Sequence, residues 1–474
     1  MIMDHTRQRL KYLIPDLLSA LFSWILFFLL YPETGNGVLS PPFIAGMGWN
    51  EFYRGLALTP VVWAGLYLFL GFYRDVFRRS RLKEIGYSII ASASGTVIII
   101  AFLFGTGMAE GNLTTYFRIM FVYFGIHFAV SYIPRLAITS ATTRAIRKGR
   151  LGFNTLIIGS DRKAVEIFSE INNQIRPTGN KFIGYINING NNSCPMDSYL
   201  PRLGSLDDID RVIEEKGVEE VIIAIEPSEN GKIERIMNRL DHPDLVIKAI
   251  PGMHDILTGR VRINTIIATP LIQLSHHLMP VWQRNLKQVI DIILSVIALV
   301  ALLPVSIAIA LWIKIDSKGP VIYSHERIGR NGKPFRIYKF RTMIDNAEKN
   351  GPELSSENDR RVTCPGRFLR KTRLDEIPNF FNVLKGEMSV VGPRPERKFF
   401  IDRIVEKAPH YKLLLRIKPG ITSWGQVRYG YAENVDQMIQ RLKYDMIYLE
   451  NMSVFVDFQI LIHTILTVFR RKGV

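Results

Sequence analysis

The chain has 474 residues, 47% of them hydrophobic, with a mean hydropathy of +0.11, which is high for a soluble protein and fits a membrane protein of two or three domains. The net charge of +17 implies an anionic partner, either nucleic acid, anionic lipid or a nucleotide-linked substrate. The two cysteines, Cys194 and Cys364, stand far apart, which excludes a cysteine-based metal or redox motif and predicts reduced cytoplasmic thiols.

Apolar segments dominate residues 1–150. Each is close to the ~20 residues that a helix needs to cross a bilayer. The first is too long for a cleaved signal peptide and is followed by further apolar segments. We therefore predict a four-span transmembrane domain. Its spans are Tyr12–Tyr31, Phe52–Tyr73, Ile85–Gly105 and Leu113–Pro134.

The loops between these segments differ in charge. Loop 74–83 is strongly basic, and so are the residues before the first span and after the fourth. Loops 33–51 and 106–112 contain no Lys or Arg. Because basic loops stay on the cytoplasmic side, this pattern predicts a cytoplasmic N-terminus and places everything after residue 150 in the cytoplasm.

Residues 151–275 alternate between strand and helix patterns, which predicts an α/β domain with a parallel, doubly wound sheet. A dinucleotide site needs several glycines after the first strand, but the turn here carries only Gly159. The domain therefore either binds a ligand or, as we favour, regulates the protein or forms oligomers. The predicted strands are Asn154–Ser160, Phe182–Ile188, Val218–Ile225 and Asp244–Ile250.

A fifth apolar run covers residues 287–315 and is long enough to span a membrane. Pro304 near its middle should break or kink the helix, and both flanks are basic, which suits a hairpin that returns to the same side. A plain kinked span is the alternative. We predict that Asp291 forms a local pair with Lys287. The last apolar stretch, Val454–Phe469, predicts an interfacial helix on an anionic leaflet.

The most informative stretch is 371–396, KTRLDEIPNFFNVLKGEMSVVGPRPE. Two adjacent carboxylates, Asp375 and Glu376, follow a basic cluster and precede the Gly-Pro-Arg-Pro turn at 392–395. Adjacent carboxylates are often a solvated helix N-terminus. Carboxylates among several cations instead suit chemistry on a phosphate, in which an anionic nucleophile attacks and fixed cations hold the phosphoryl oxygens.

Further motifs lie on either side: KFRTM at 339–343, KPGITSWGQV at 418–427 and YDMIYLENMSVFVD at 444–457. With 371–396, they make residues 280–474 resemble the bacterial polyprenyl-phosphate sugar-1-phosphate transferases. These monotopic phosphoglycosyl transferases begin exopolysaccharide and O-antigen assembly.

The resemblance implies transfer of a hexose 1-phosphate from a UDP-sugar to a polyprenyl phosphate, with release of UMP. It also implies that this lipid is undecaprenyl phosphate. It makes Asp375 the nucleophile that carries a covalent phosphosugar intermediate, and it gives Glu376 a role in holding Mg²⁺. One or two carboxylates suffice for that ion, which usually keeps several waters.

The motifs also supply candidate substrate-binding residues. Alternation places two of them, Lys339 and Arg341, on one face of a predicted strand, Phe335–Met343. A solvated face is the alternative. Residues 422–428, TSWGQVR, depart from the pattern usual in the family, so no particular sugar is expected. The candidates are Lys339, Arg341, Arg370, Arg394, Gln426 and Asp445.

The expected architecture is therefore a four-span domain, a Rossmann-like cytoplasmic domain and a catalytic α/β domain with a re-entrant membrane helix. The expected location is the bacterial inner membrane, with the catalytic domain in the cytoplasm and membrane lipid around it. A homodimer is possible for this family. No nucleic-acid recognition motif is present, so we expect no nucleic-acid partner. A membrane-anchored nucleotide sensor or scaffold without turnover is the alternative function.

Overall fold

The computed structural model divides the chain into two compact units, Met1–Ser275 and His276–Val474. The first contains a bundle of apolar helices and a β-sheet, and the second contains a bent pair of apolar helices and several short strands. The structure describes residues 5–30, 49–105, 113–174, 178–188, 193–225, 230–240, 245–251, 271–273, 279–344, 359–430, 432 and 434–469.

The first unit begins with four helices that are each long and apolar enough to cross a membrane, which confirms the predicted apolar helices. The fourth does not end at Pro134, as predicted, but continues to Arg147. Proline is tolerated inside such helices because neighbouring helices satisfy the freed backbone groups. The helices are α1 (His5–Leu30), α2 (Trp49–Leu70), α3 (Arg81–Gly105) and α4 (Leu113–Arg147).

A buried ion network joins α1, α3 and α4. Arg135 of α4 donates to both carboxylate oxygens of Asp16 at 2.7 Å and to Glu84 at 3.2 Å. Tyr73 donates to Asp16 at 2.8 Å. Since an unpaired buried charge costs several kcal/mol, these contacts fix three helices relative to one another. Arg135 directly follows Pro134, so a helix that ended at the proline would lose this network.

Two consecutive arginines connect the bundle to the sheet. Arg79 pairs with Glu84 of the bundle at 3.1 Å. Arg78 pairs with Glu220 of the sheet at 2.7 Å, and Lys248 pairs with the same carboxylate at 2.5 Å. Burial alone would raise the pKa of Glu220, but Lys248 and Arg78 outweigh it and hold that pKa below its usual value. The basic loop therefore lies on the sheet side of the bundle.

The predicted α/β sheet is confirmed, with strand order β3-β2-β1-β4-β5-β6. Neighbours from β3 to β5 pair in parallel, and β6 is antiparallel to β5. The order 3-2-1-4-5 occurs in doubly wound folds. The sequence analysis did not predict β3 or β6, because β6 has only two residues and β3 has the sequence RLGS, which contains no apolar run. The strands are β1 (Phe153–Ile158), β2 (Asn180–Asn187), β3 (Arg202–Ser205), β4 (Glu220–Ile223), β5 (Val246–Ala249) and β6 (Ile272–Gln273).

Helices cover both faces of this sheet. Leu156 and Ile158 of β1 pack in one apolar cluster with α6 and α7, while Ile157 packs in another with α5. Gly159 follows β1, and a Cβ on it would lie 2.5 Å from the Ala224 carbonyl oxygen. This lone glycine therefore serves the close approach of the turn to the chain after β4. The helices are α5 (Arg162–Asn172), α6 (Ile209–Lys216) and α7 (Asn230–Arg239).

The second unit begins with two apolar helices, α8 (Val281–Ala301) and α9 (Leu303–Asp316), which are bent by 59° at the break between them. Pro304 lies in the first turn of α9, where its missing N–H removes no helical hydrogen bond. A bend of this size suits either a broken span or a re-entrant hairpin, and the re-entrant arrangement stays a prediction.

The predicted local pair between Lys287 and Asp291 is wrong. Lys287 donates to Asp457 at 2.7 Å and to the Val391 carbonyl oxygen at 2.9 Å. Asp291 accepts from the Ser389 hydroxyl at 2.7 Å and from the Val390 N–H at 3.1 Å. Both side chains therefore point into the fold, where the short strand Ser389–Val391 supplies a hydrogen-bond acceptor for Lys287 and two donors for Asp291.

The rest of the second unit is built from short elements. An antiparallel hairpin, β7 (Ile322–Ile328) and β8 (Pro334–Phe340), precedes a parallel pair, β9 (Ser389–Val391) and β10 (Gly420–Thr422). The predicted strand Phe335–Met343 is thus shorter, ending at Phe340. The helices are α10 (Cys364–Thr372), α11 (Asn379–Leu384), α12 (Lys398–Lys407), α13 (Trp424–Arg428), α14 (Val435–Glu450) and α15 (Val454–Phe469).

Replacing Arg78 by alanine should destabilise the first unit by about 1–3 kcal/mol, because Glu220 loses a charged hydrogen-bond partner. The folded pKa of Glu220 is lowered, so this stabilisation is present above the unfolded pKa and lost as the pH falls through the folded pKa. Thermal unfolding in nanodiscs should show a gap between wild type and variant that narrows in acid.

The matched control is Lys163→Ala, which removes an exposed pair with Glu166 at 2.9 Å and should change the unfolding temperature little. An Arg78→Ala gap that is absent at neutral pH, or that persists unchanged in acid, would contradict this account of Glu220.

Candidate active site

The adjacent carboxylates lie in a single tight turn between two helices. Helix α10 ends at Thr372, and Arg373 then adopts a left-handed backbone with φ 56°. Such a conformation is unusual for a residue with a side chain and reverses the chain direction. Asp375 and Glu376 follow in one 3₁₀ turn, and α11 begins after Pro378.

Two cations from separate elements reach this turn. Lys339 of β8 lies 2.7 Å from Glu376 Oε1 and 4.0 Å from Asp375 Oδ2. Arg394, from the loop after β9, lies 3.7 Å from the same Glu376 oxygen. Both carboxylates are largely buried. The fold thus brings Lys339, Arg394, Asp375 and Glu376 together, although 55 residues separate the first from the second in sequence.

Burial and nearby charges together shift the pKa values of the two carboxylates in opposite directions. Burial raises the pKa of Asp375, and the Glu376 charge adds to this, against the lowering effect of Lys339. Burial also opposes ionisation of Glu376, but Lys339, Arg394 and Arg373 outweigh it and lower its pKa. Glu376 is therefore the fixed anion of the pair, and Asp375 is the carboxylate that titrates at higher pH.

The other basic candidates are placed differently. Arg370 donates from Nε to the Thr342 hydroxyl at 3.0 Å, and its charge acts on Asp375. Arg341 lies beyond the end of β8, and its terminal nitrogens donate to the Ser317 and Lys318 carbonyl oxygens at 2.8 and 2.9 Å. Arg341 thus ties the end of α9 to the hairpin. The structure does not bring its guanidinium to the carboxylate pair.

The Gly-Pro-Arg-Pro loop is held by the neighbouring strand. Gly392 donates to the Thr422 carbonyl oxygen at 3.0 Å, and Gly420 donates to the Pro393 carbonyl oxygen at 2.9 Å. A Cβ on Gly392 would lie 2.5 Å from the Lys418 carbonyl oxygen. The glycine is therefore required for the close approach of two backbone segments.

Gln426 lies in α13, and Asp445 of α14 contacts the same helix. Asp445 is buried and accepts from the Gly425 N–H at 3.0 Å. Burial raises the pKa of Asp445 to about 6, against the lowering effects of Arg441 and these hydrogen bonds. Gln426 Oε1 is buried and has no hydrogen-bond donor among the residues described. Neither side chain contacts the carboxylate pair directly, and a substrate role for them stays a prediction.

Several polar residues around the site were not predicted. Glu396 is buried and pairs with Arg327 at 3.1 Å and Arg441 at 2.6 Å. Asp291 and Lys287 hold β9, which leads into the Arg394 loop. One signal was available for Glu396, since it directly follows the Gly-Pro-Arg-Pro turn. No local pattern points to the others.

Residues 282–471 match the bacterial sugar transferase family, and residues 69–251 match the CoA-binding domain family. An uncharacterized sugar transferase of Haemophilus influenzae is 30% identical over 346 residues, which are 69% of this chain and 71% of that protein. The chain belongs to the bacterial sugar transferase family.

Other relatives carry more specific names. The UDP-N-acetylgalactosamine-undecaprenyl-phosphate N-acetylgalactosaminephosphotransferase of Aeromonas hydrophila is 38% identical over 243 residues, 51% of this chain and 57% of its own length. The UDP-glucose:undecaprenyl-phosphate glucose-1-phosphate transferase of Escherichia coli is 32% identical over 258 residues, 54% of this chain and 56% of its own length. The chain thus spans little more than half the length of these two bacterial sugar transferases.

Gly392→Ala should destabilise the second unit by about 1–3 kcal/mol, because the added methyl group overpacks two backbone segments. Thermal unfolding is the measurement. Gly86→Ala in α3 is the control, since a Cβ there meets nothing within 4 Å and alanine favours helix. Equal unfolding temperatures for Gly392→Ala and wild type would contradict the close-approach account.

Proposed function

We propose that this bacterial sugar transferase moves a hexose 1-phosphate from a UDP-sugar to a polyprenyl phosphate and releases UMP. The polyprenyl phosphate we propose is undecaprenyl phosphate, the lipid expected for the family. The observation that carries the proposal is the buried pair Asp375–Glu376 with Lys339 and Arg394 beside it. A nucleophilic carboxylate next to fixed cations is what phosphoryl transfer needs. The names of the relatives support the same donor and acceptor classes.

The proposed reaction has two steps. An Asp375 carboxylate oxygen attacks the β-phosphorus of the donor, and the bond to the bridging oxygen breaks, so that UMP leaves with the electron pair. The sugar phosphate is then held as an acyl phosphate on Asp375. An oxygen of polyprenyl phosphate then attacks that phosphorus. The bond between phosphorus and the Asp375 oxygen breaks, and the carboxylate is restored.

Lys339 and Arg394 offset the charge that develops on the phosphoryl oxygens during both steps. Glu376 keeps both cations beside the reacting carboxylate. Its lowered pKa means that it stays ionised at neutral pH, so that it never competes with Asp375 for a proton.

Mg²⁺ fits the donors present. The buried Asn379 Oδ1 has no hydrogen-bond donor in the described part of the chain and lies three residues after Glu376 in the sequence. Glu376 and Asn379 would supply hard oxygen ligands, with waters completing the set. The ion would offset the charge of the donor diphosphate.

The membrane placement follows from the acceptor. A polyprenyl tail does not leave the bilayer, so the nucleophile must work at headgroup level. We infer that α8 and α9 form a re-entrant hairpin in the inner leaflet of the bacterial inner membrane, with the catalytic unit in the cytoplasm. The bend of 59° after two apolar segments supports this arrangement. A homodimer of the chain is part of the same proposal.

Asp375→Asn should abolish UMP release, by at least about 10³-fold, because the amide lacks the nucleophilic oxygen anion. The assay uses protein in nanodiscs, polyprenyl phosphate, Mg²⁺ and a panel of UDP-hexoses. Donor labelled in the β-phosphate should also transfer label to wild-type protein but not to Asp375→Asn. A nucleotide sensor or scaffold predicts instead that no donor is turned over and that Asp375→Asn leaves ligand binding intact.

UMP release should also fall as the pH drops through the raised pKa of Asp375, because only the carboxylate attacks. Lys339→Met removes a cation that lowers this pKa, so the acid limb should move to higher pH. Lys385→Met, at a lysine that contacts the Tyr338 hydroxyl at 3.1 Å, is the control and should leave the limb in place. An unmoved limb in Lys339→Met would count against Asp375 as the titrating group.

A further inference from the structure

Arg394 stands on a loop that several contacts within the second unit hold in place. Arg394 lies 3.7 Å from Glu376, whereas Lys339 lies 2.7 Å from the same oxygen. A guanidinium at the longer distance is not fixed by that contact alone. The backbone on which Arg394 stands and its neighbours therefore also contribute to its direction.

The chain on the C-terminal side of Arg394 is held at each residue. Arg327 of β7 donates to the Pro395 carbonyl oxygen at 3.0 Å and to the Glu396 carboxylate at 3.1 Å. The Ile328 N–H donates to the Glu396 carbonyl oxygen at 3.0 Å. Arg441 of α14 donates to the other Glu396 carboxylate oxygen at 2.6 Å.

Glu396 is also adjacent to Arg394 in space. A cavity of about 10 Å³ is lined by both residues and by Tyr411, Arg441 and Asp445, which leaves room for about one water molecule. Glu396 is only 4% exposed. The charges of Arg441, Arg327 and Arg394 all act on this carboxylate and help to lower its pKa, so without Glu396 three like charges would lie close together with no counter-charge between them.

We propose that Glu396 is a positioning residue: clamped between Arg327 and Arg441, it holds the Arg394 guanidinium in the direction from which it contacts the donor phosphate. The proposal rests on the proposed function for the identity of that phosphate. Glu396 itself touches no substrate. It acts by fixing two residues of loop and by balancing two arginines that would otherwise repel the third.

A double-mutant cycle with UDP as the probe tests this, because UDP carries the phosphates common to the candidate donors. UDP affinity is measured by calorimetry for wild type, Glu396→Gln, Arg394→Ala and the double variant. Because loss of a hydrogen bond to a charged group can change an equilibrium by about tenfold, we expect Glu396→Gln to weaken UDP binding by about tenfold. In the Arg394→Ala background the same change should alter affinity by less than about twofold.

Two further variants guard the interpretation. Arg441→Gln leaves Glu396 paired with Arg327 and should give a smaller loss of UDP affinity, which keeps the proposal testable if Glu396→Gln does not fold. Asp436→Asn breaks the exposed pair of Lys407 and Asp436, 2.7 Å apart on the neighbouring helices α12 and α14, and should leave UDP affinity unchanged.

The outcomes separate this proposal from the transferase proposal. If Glu396→Gln weakens UDP binding equally in both backgrounds, Glu396 supports the fold and does not act through Arg394, so the positioning proposal fails. Unchanged affinity in folded Glu396→Gln and Arg441→Gln also overturns it, as does a wild type that does not bind UDP. Absence of UMP release from a wild type that binds UDP would overturn the transferase proposal alone, because the affinity cycle would still be read.

Discussion

Two adjacent carboxylates in a nearly closed turn set the main constraint on the second unit. Each would repel the other and lose its hydration, so the pair requires cations within a few ångström. The chain supplies Lys339 from a hairpin and Arg394 from a loop after β9. Much of the remaining structure keeps those two side chains in place: Asp291 and Lys287 grip β9, and Glu396 secures the loop beyond it. The fold thus stabilises the two buried carboxylates by holding two cations beside them.

The sequence predicted what depends on local pattern. Helix length and apolarity predicted the four apolar helices at the start of the first unit, because a bilayer requires a similar length of each. Strand-helix alternation predicted the sheet. The turn of Asp375 and Glu376 was recognisable because its carboxylates, basic residues and Gly-Pro-Arg-Pro turn lie within 26 residues, and residues near in sequence are easily read together.

Long-range partners were beyond that reasoning. Asp291 looked like a partner for Lys287 one turn away, but their partners are 98 and 170 residues distant. Arg341 and Lys339 alternate along the chain, yet β8 ends between them at Phe340, so their side chains serve different neighbours. The sequence does not show why a glycine is needed at position 392. The Lys418 carbonyl oxygen crowds this position only when β10 lies beside β9. Contacts of this kind are set by tertiary packing.

The arginines at 78 and 79 carry a mechanical consequence. They are consecutive, yet one is anchored to Glu84 of the helix bundle and the other to Glu220 of the sheet. Adjacent residues of the chain therefore hold the sheet and the bundle. Twisting the sheet by the length of a side chain would pull on the first turn of α3, next to the Arg135 network that locks three helices together. A small displacement of the sheet would therefore strain the ion pairs inside the helix bundle.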